Sequence, residues 1–162
     1  MLKNHQANRH CETSQNSQII GWREIINFPQ LKINHIKAKI DTGARSSALH
    51  AFNLEEVIRN DKPMIRFQVH PLQRDSNFTI TTEAELLEYR EVKNSGGIAQ
   101  IRPVIKTEIS LKEVTWAIEL TLTNRELMGF RMLLGREAIR NKFLVDPSKS
   151  YLQSDQKDHN NK

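Results

Sequence analysis

Asp41, Thr42 and Gly43 follow an alternating run, I-N-H-I-K-A-K-I, within the stretch K-I-D-T-G-A-R-S-S-A-L-H-A at 39–51. A carboxyl group held at a strand end can take a proton from water, the first requirement of hydrolysis by general acid–base catalysis. Thr42, Gly43 and Ala44 are small, and small residues let another backbone approach closely. An aspartate in such a turn also bonds readily to its own backbone. From D-T-G alone both readings stand: a simple turn, or a carboxyl group placed for chemistry. The chemical reading needs a second carboxyl group, because one must deprotonate water while the other protonates the carbonyl. The chain holds a single D-T-G. Asp146, in V-D-P, has Pro147 where a flexible glycine is required, and it reads as a turn aspartate.

The elements that must position Asp41 have mostly the period of two that marks strands. I-I-G-W-R-E-I-I-N-F is expected to be a first strand closed by Pro29. In L-K-I-N-H-I-K-A-K-I the apolar alternation slips between Ile33 and Ile36, which predicts a turn near Asn34-His35 and two short strands in a hairpin. M-I-R-F-Q-V-H-P-L is another strand. Glu83 to Tyr89 fits either a strand or a helical turn. L-E-Y-R-E-V-K and I-A-Q-I-R-P-V-I-K-T-E-I form the arms of a long hairpin, with Ser95, Gly96 and Gly97 giving its tip backbone freedom. T-W-A-I-E-L-T-L-T alternates cleanly. M-L-L-G-R-E-A-I-R then runs through Gly135 into one short helix, and F-L-V-D-P is a last strand. An all-β domain with one short C-terminal helix suits a small closed barrel.

The 162 residues allow one compact domain with a modest core, since 38% are apolar and the large aromatics are few. Residues 1–18 and 153–162 are polar and read as disordered tails, leaving 19–152 as the folded region. Lys and Arg number 24 against 19 Asp and Glu, a net charge of +5 that is scattered rather than blocked, so no nucleic-acid partner is expected. The one cysteine, Cys11, excludes an intrachain disulfide and a cysteine zinc cluster. No apolar run approaches the roughly 18 residues of a membrane span, and the first residues lack the apolar core of a secretory signal, so a cytoplasmic location is expected.

The chain resembles the retropepsin-like aspartic proteases, in which D-T-G-A sits beside a later apolar-apolar-Gly segment and a short helix. Here these are A-K-I-D-T-G-A at 38–44 and M-L-L-G-R-E-A-I at 132–139, with a glycine-containing hairpin tip between them. Within that family it is similar to a bacterial group that carries the name ATP-dependent zinc protease, whose relatives can be encoded near glutamate-adding ATP-grasp ligases. The marks are A-K-I-D-T-G-A-R-S-S-A-L-H-A, V-H-P-L at 69–72, S-G-G at 95–97, R-P-V-I at 102–105, L-T-L-T-N-R at 120–125, M-L-L-G-R at 132–136 and V-D-P-S-K-S-Y at 145–151. They span about residues 20–152.

The resemblance implies an acid-protease barrel and an aspartic endopeptidase without a cofactor. With one D-T-G per chain, the water-activating dyad would be made by Asp41 from each subunit of a homodimer. Thr42 would brace the two loops, Gly43 would admit substrate backbone, and Ala44 would pack beneath. Leu133, Leu134 and Gly135 would support the loop, and Ser95, Gly96 and Gly97 would form a lid. Arg45 would favour charged carboxylates, point outward, or grip an acidic substrate; a glutamate-rich peptide fits the link to glutamate ligases. Arg66, Arg102, Arg125, Arg131 and Arg136 could extend that grip. The alternatives are a non-catalytic peptide-binding barrel and a zinc peptidase. For the latter His35, His50 and His70, with Asp41 or Glu24, are the available donors, but no H-E-x-x-H is present. No phosphate-binding G-x-x-x-x-G-K-[ST] occurs either, so any use of ATP falls to a partner.

Overall fold

The computed structural model describes residues 18–72, 77–94, 96–125, 127 and 129–154. Cys11 and Ser95 lie outside the described residues, as do 1–17 and 155–162 of the expected tails. The strands in chain order are β1 (Gln18–Gly21), β2 (Arg23–Phe28), β3 (Ile33–Asp41), β4 (Ser47–His50), β5 (Phe52–Arg59) and β6 (Lys62–Val69). They continue with β7 (Ile80–Lys93), β8 (Ala99–Leu111), β9 (Val114–Thr123) and β10 (Met132–Gly135), then helix α1 (Arg136–Ile139) and β11 (Phe143–Asp146). No helix among the described residues is long and apolar enough to cross a membrane.

Strands β2-β3-β10-β4-β9-β8 form a ring, and the pairing of Asn27 with Ser110 joins β2 back to β8 and closes it. The expected all-β closed barrel with one short helix is what the chain forms. Beyond β8 the sheet continues as an arm, β7-β6-β5, while β1 and β11 make a separate parallel ribbon. The interior is filled from alternate positions: Ile36, Ala38 and Ile40 on β3, Ile118, Leu120 and Leu122 on β9, and Leu134 on β10. Burying one such aliphatic side chain contributes roughly 1.5–3 kcal/mol, so this alternation fixes which face of each strand turns inward.

Two local expectations are corrected. The first strand is broken at Trp22: Gly21 packs on the Lys149 carbonyl, the Trp22 N–H donates to that oxygen at 2.9 Å, and β1 and β2 leave for different sheets. The slip at Asn34-His35 is no turn. The strand β3 runs through it with His35 at φ 58°, the His35 N–H donates to the Asn27 side chain at 2.8 Å, and the register shifts between Ile26 and Phe28. It is a bulge, which absorbs one residue without ending the strand. The hairpin turn lies earlier, where the Leu31 N–H donates to the Phe28 carbonyl. Glu83 to Tyr89 is extended within β7, and β4 and β5 add two strands that no alternation in the sequence announced.

Glu24 is wholly buried at the junction of the barrel and the ribbon. Its Oε1 accepts from the N–H groups of Gly21 (2.8 Å) and Leu152 (2.9 Å), and its Oε2 from the Ser154 hydroxyl (2.8 Å), with the Gln153 N–H shared between them. Thus residues 152–154 are fastened to the start of β2. Arg23 reinforces the junction by stacking between the rings of Trp22 and Tyr151. Glu24→Gln turns an amide donor toward these donors, and it is expected to cost about 3 kcal/mol of unfolding free energy. Urea denaturation checks this; a midpoint equal to wild type would show that the junction adds nothing to stability.

Candidate active site

Strand β3 delivers Asp41 to the barrel rim, half-buried, with Thr42 and Gly43 exposed beyond it. The Asp41 Oδ1 accepts from the N–H groups of Gly43 at 3.0 Å and Ala44 at 3.1 Å. The turn reading is therefore true of one oxygen. Those two bonds fix the carboxyl plane, and among the described residues Oδ2 accepts no hydrogen bond, so it is left for something outside the loop. A Cβ on Gly43 would stand 3.3 Å from that Oδ1, closer than a side chain usually sits.

What holds the loop is the corner where β10 becomes α1. Strand β10 runs parallel to β3 with Leu133 beside Lys39, Leu134 beside Ile40 and Gly135 beside Asp41. Leu134 is in the barrel core; Leu133 is buried on the other face. At Gly135 a Cβ would lie 2.5 Å from the Ser46 carbonyl carbon and oxygen, so only glycine lets β10 press against the loop backbone. Helix α1 has no side-chain cap. Its first N–H groups instead serve the loop: Arg136 donates to the Ala44 carbonyl at 2.7 Å and Glu137 to that of Arg45 at 3.1 Å. The Gly135 N–H donates to the buried Ser47 hydroxyl at 3.0 Å, and the Arg136 guanidinium to the Thr42 carbonyl at 3.1 Å. Ser47 was missed from sequence, where S-S after D-T-G-A-R carries no sign of its register. Arg45 points outward, 79% exposed, with Glu137 3.9 Å away.

The hairpin of β7 and β8 pairs as far as Lys93 and Ala99. At its tip the Asn94 side-chain oxygen accepts from the N–H groups of Gly96 (2.9 Å) and Ile98 (3.0 Å), and Gly97 takes φ 76°. Asn94, also missed, organises the tip that glycine permits. Between this hairpin and the loop lies a groove of about 760 Å³, walled by Arg45–Ser47, Arg90–Lys93, Ala117–Glu119, Thr121 and the start of α1. Asp41 is not in its wall; the groove begins four residues further along the same loop. Arg90 reaches from the hairpin to Glu119 at 2.9 Å and to Glu88 at 2.5 Å, and these carboxylates hold its guanidinium above the ordinary range.

The remaining expected residues are dispersed. His35 is on the β3 bulge, whereas His50 and His70 flank the Phe52 ring at centroid distances of 6.5 and 4.4 Å. Glu24 is occupied by its own donors. The zinc donors are not gathered, and among the described residues no three of His, Cys, Asp and Glu form a group able to hold a metal. The set does not fit zinc. Asp146 accepts from the Ser148 hydroxyl at 2.6 Å and its N–H at 2.9 Å, which holds its carboxyl below the usual range. Arg66 pairs with Glu55 on the arm. Arg125 is exposed, and Arg102 and Arg131 are buried.

A family model described as retropepsin-like aspartic endopeptidase RimB matches residues 19–156. A probable alpha-L-glutamate ligase of Shewanella halifaxensis is 44% identical over 145 residues, 90% of this chain and 32% of the ligase. Another from Parasynechococcus marenigrum is 47% identical over 137 residues, 85% of this chain and 29% of the ligase. The chain thus spans about a third of the length of these relatives. Among solved structures, protein Lpg0085 of unknown function from Legionella pneumophila is similar with a TM-score of 0.70 and 30% identity, covering 85% of this chain and 98% of that one.

Gly135→Ala forces either β10 or the 45–46 backbone to move, and a loss of about 3 kcal/mol is expected. Ser47→Ala, which strips the Gly135 N–H of its acceptor, is expected to cost about 1–2 kcal/mol. Both are read by urea denaturation. A Gly135→Ala chain as stable as wild type would mean that the loop is not held against β10.

Proposed function

From the premise that the chain belongs to the RimB-like family of retropepsin-like aspartic endopeptidases, we propose that it hydrolyses peptide bonds with a dyad of two Asp41 carboxyl groups, one from each subunit of a homodimer. The observation that carries this reading is the split between the two oxygens of Asp41: Oδ1 is fixed by two backbone N–H groups, and Oδ2 accepts no hydrogen bond among the described residues. Two such groups brought face to face share a proton, since like charges at that distance cannot both ionise. One then takes a proton from the water that attacks the carbonyl carbon. The other gives its proton to the carbonyl oxygen, and collapse of the tetrahedral intermediate expels the amine, which leaves protonated.

The roles of the neighbours follow from their places. Thr42, exposed at the tip with its carbonyl held by Arg136, is positioned to brace the partner loop through its hydroxyl. Gly43 keeps the approach to the carboxyl clear, and Ala44 packs beneath. Leu133, Leu134 and Gly135 set the loop's height against the barrel. The hairpin tip, at Gly96 and Gly97, would act as a lid that excludes water when substrate is bound. No step draws on a metal.

The substrate we propose is a glutamate-rich peptide or protein in the cytoplasm. A region like this one forms about a third of proteins named probable alpha-L-glutamate ligases, which supports a working link between glutamate addition and this chain. The net charge of +5 and the outward Arg45 suit an acidic partner.

Cleavage of a mixed peptide library from mildly acidic to neutral pH tests the reaction. Asp41→Asn is expected to lower the rate about a thousand-fold, EDTA to leave it unchanged, and sedimentation to show dimers under the assay conditions. Full activity in Asp41→Asn, or in a chain that stays monomeric, would sink the dyad.

A further inference from the structure

Glu119 pairs with a charge two strands away. On β9 it stands opposite Lys106 of β8, yet its carboxylate accepts from the Arg90 guanidinium of β7 at 2.9 Å. Arg90 itself stands opposite Arg102, four residues from Lys106 on the same face of β8. In a flat sheet, two strand spacings and four residues of rise put the Cα atoms of Arg90 and Glu119 about 16 Å apart. Side chains that leave the sheet at right angles do not meet over that distance. The pair therefore exists only because the β7–β8 hairpin curls over β9. The same curl makes the groove, with Arg90 to Lys93 on one wall and Ala117 to Glu119 on the other.

The curl has a pivot. The β7–β8 register shifts between Leu86 and Glu88, and a bulge of this kind bends its strand without ending the pairing. Just beyond it β7 is tied on both faces, because successive side chains of a strand point opposite ways. Tyr89 donates to the Glu56 carboxylate of β5 at 2.7 Å and draws the strand toward the arm. Arg90 draws it toward β9. The other contact of Arg90, from Nε to Glu88 at 2.8 Å, stays within β7 and spans nothing. Arg102, buried opposite Arg90, carries the same charge and offers it no pairing inside the hairpin. Beyond Arg90, no side chain from Glu91 to Ile98 bonds to the barrel among the described residues; Asn94 bonds only to Gly96 and Ile98. A small change of angle at Arg90 thus becomes a large displacement at the tip.

We propose that the Arg90–Glu119 bridge is an ionic latch on the groove: made, it holds the hairpin down over β9, and broken, it lets the hairpin swing outward about the bulge at Leu87. The latch belongs to the free chain and goes beyond the endopeptidase reading, which calls for a lid but not for this means of holding one. Both side chains are partly exposed, so the bridge is weak and yields to salt.

The test measures a distance across the groove in the full chain. Spin labels are placed at Ile98→Cys on the tip and at Arg140→Cys just after α1, both exposed positions, in a Cys11→Ser background. The near population is expected to dominate in dilute buffer. Arg90→Gln and Glu119→Gln are each expected to raise the ratio of far to near about two- to five-fold. The double variant should do no more than either alone, because the two act through one contact. Glu88→Gln should leave the ratio unchanged, and Tyr89→Phe, which cuts the tie on the other face, should not raise it. Salt at about 1 M, where screening acts within about 3 Å, should move wild type toward the far population and leave the double variant where it is. A wild-type distance that salt does not change, or additive effects of the two substitutions, would overturn the latch. So would a rise in Glu88→Gln as large as that in Arg90→Gln. If a latch variant does not fold, the salt comparison decides, since it leaves Arg90 and Glu119 in place. None of these outcomes bears on hydrolysis, so the latch and the peptidase reading stand or fall separately.

Discussion

The contact on which the site depends is the approach of Gly135 to the backbone of Arg45 and Ser46. Strand β10 can lie against β3 along its length only because no side chain stands at its last position. Once it does, the N–H groups that open α1 fall beside the carbonyls of the acid loop, and each group satisfies the other. A helix of one turn cannot be stable by itself, since nucleation costs more than so few bonds return. Here the helix start and the loop stabilise each other, with the indole N–H of Trp116 donating to the Ala138 carbonyl at 3.0 Å to hold the far end. The carboxyl group of Asp41 is thus placed by a network that reaches the barrel core within two residues.

The same economy separates the acid loop, tied to the barrel, from the hairpin tip, tied to itself. Backbone bonds from β10 and α1, the Ser47 hydroxyl and the Arg136 guanidinium all converge on residues 42–47. At the hairpin tip the bonds run from Gly96 and Ile98 to Asn94, so the tip is tied to itself rather than to the barrel. The proposed reaction, in which a carboxyl group stays still while a peptide enters and leaves, would draw on this contrast. Arg90 is the exception, a charged strut from the hairpin to Glu119 across the groove floor. Being partly exposed, such a pair is weak and screened by salt.

Much of this was legible in the sequence because small residues have few reasons to be small. D-T-G-A and L-L-G each announced a close approach, and the alternation in β6, β8 and β9 announced a sheet with one face buried. The tip glycines announced the hairpin. What could not be read depended on which residues meet across strands. The bulge at His35 requires Asn27 of the neighbouring strand to take its N–H, so the local pattern looked like a turn. The break at Trp22 is made by Lys149, far along the chain. Ser47 and Asn94 matter through a single oxygen each, and nothing in their neighbours marks them. The histidines show the converse. Three in one domain invited a metal, yet two of them are spaced apart by the ring of Phe52.

The outer face of β9 shows how far the scaffold's own hydrogen bonds reach. On β9 that outer face carries Ala117 and Glu119 in the open, then Thr121 and Thr123 under cover. Thr121 uses its hydroxyl within the fold, donating to the Ser47 carbonyl at 3.1 Å, and so joins the acid loop to the groove floor. Thr123, two residues further along, has no hydrogen-bond partner for its hydroxyl among the described residues. Two identical side chains on one face of one strand, one satisfied by the scaffold and one not, mark where the structural work of the strand ends.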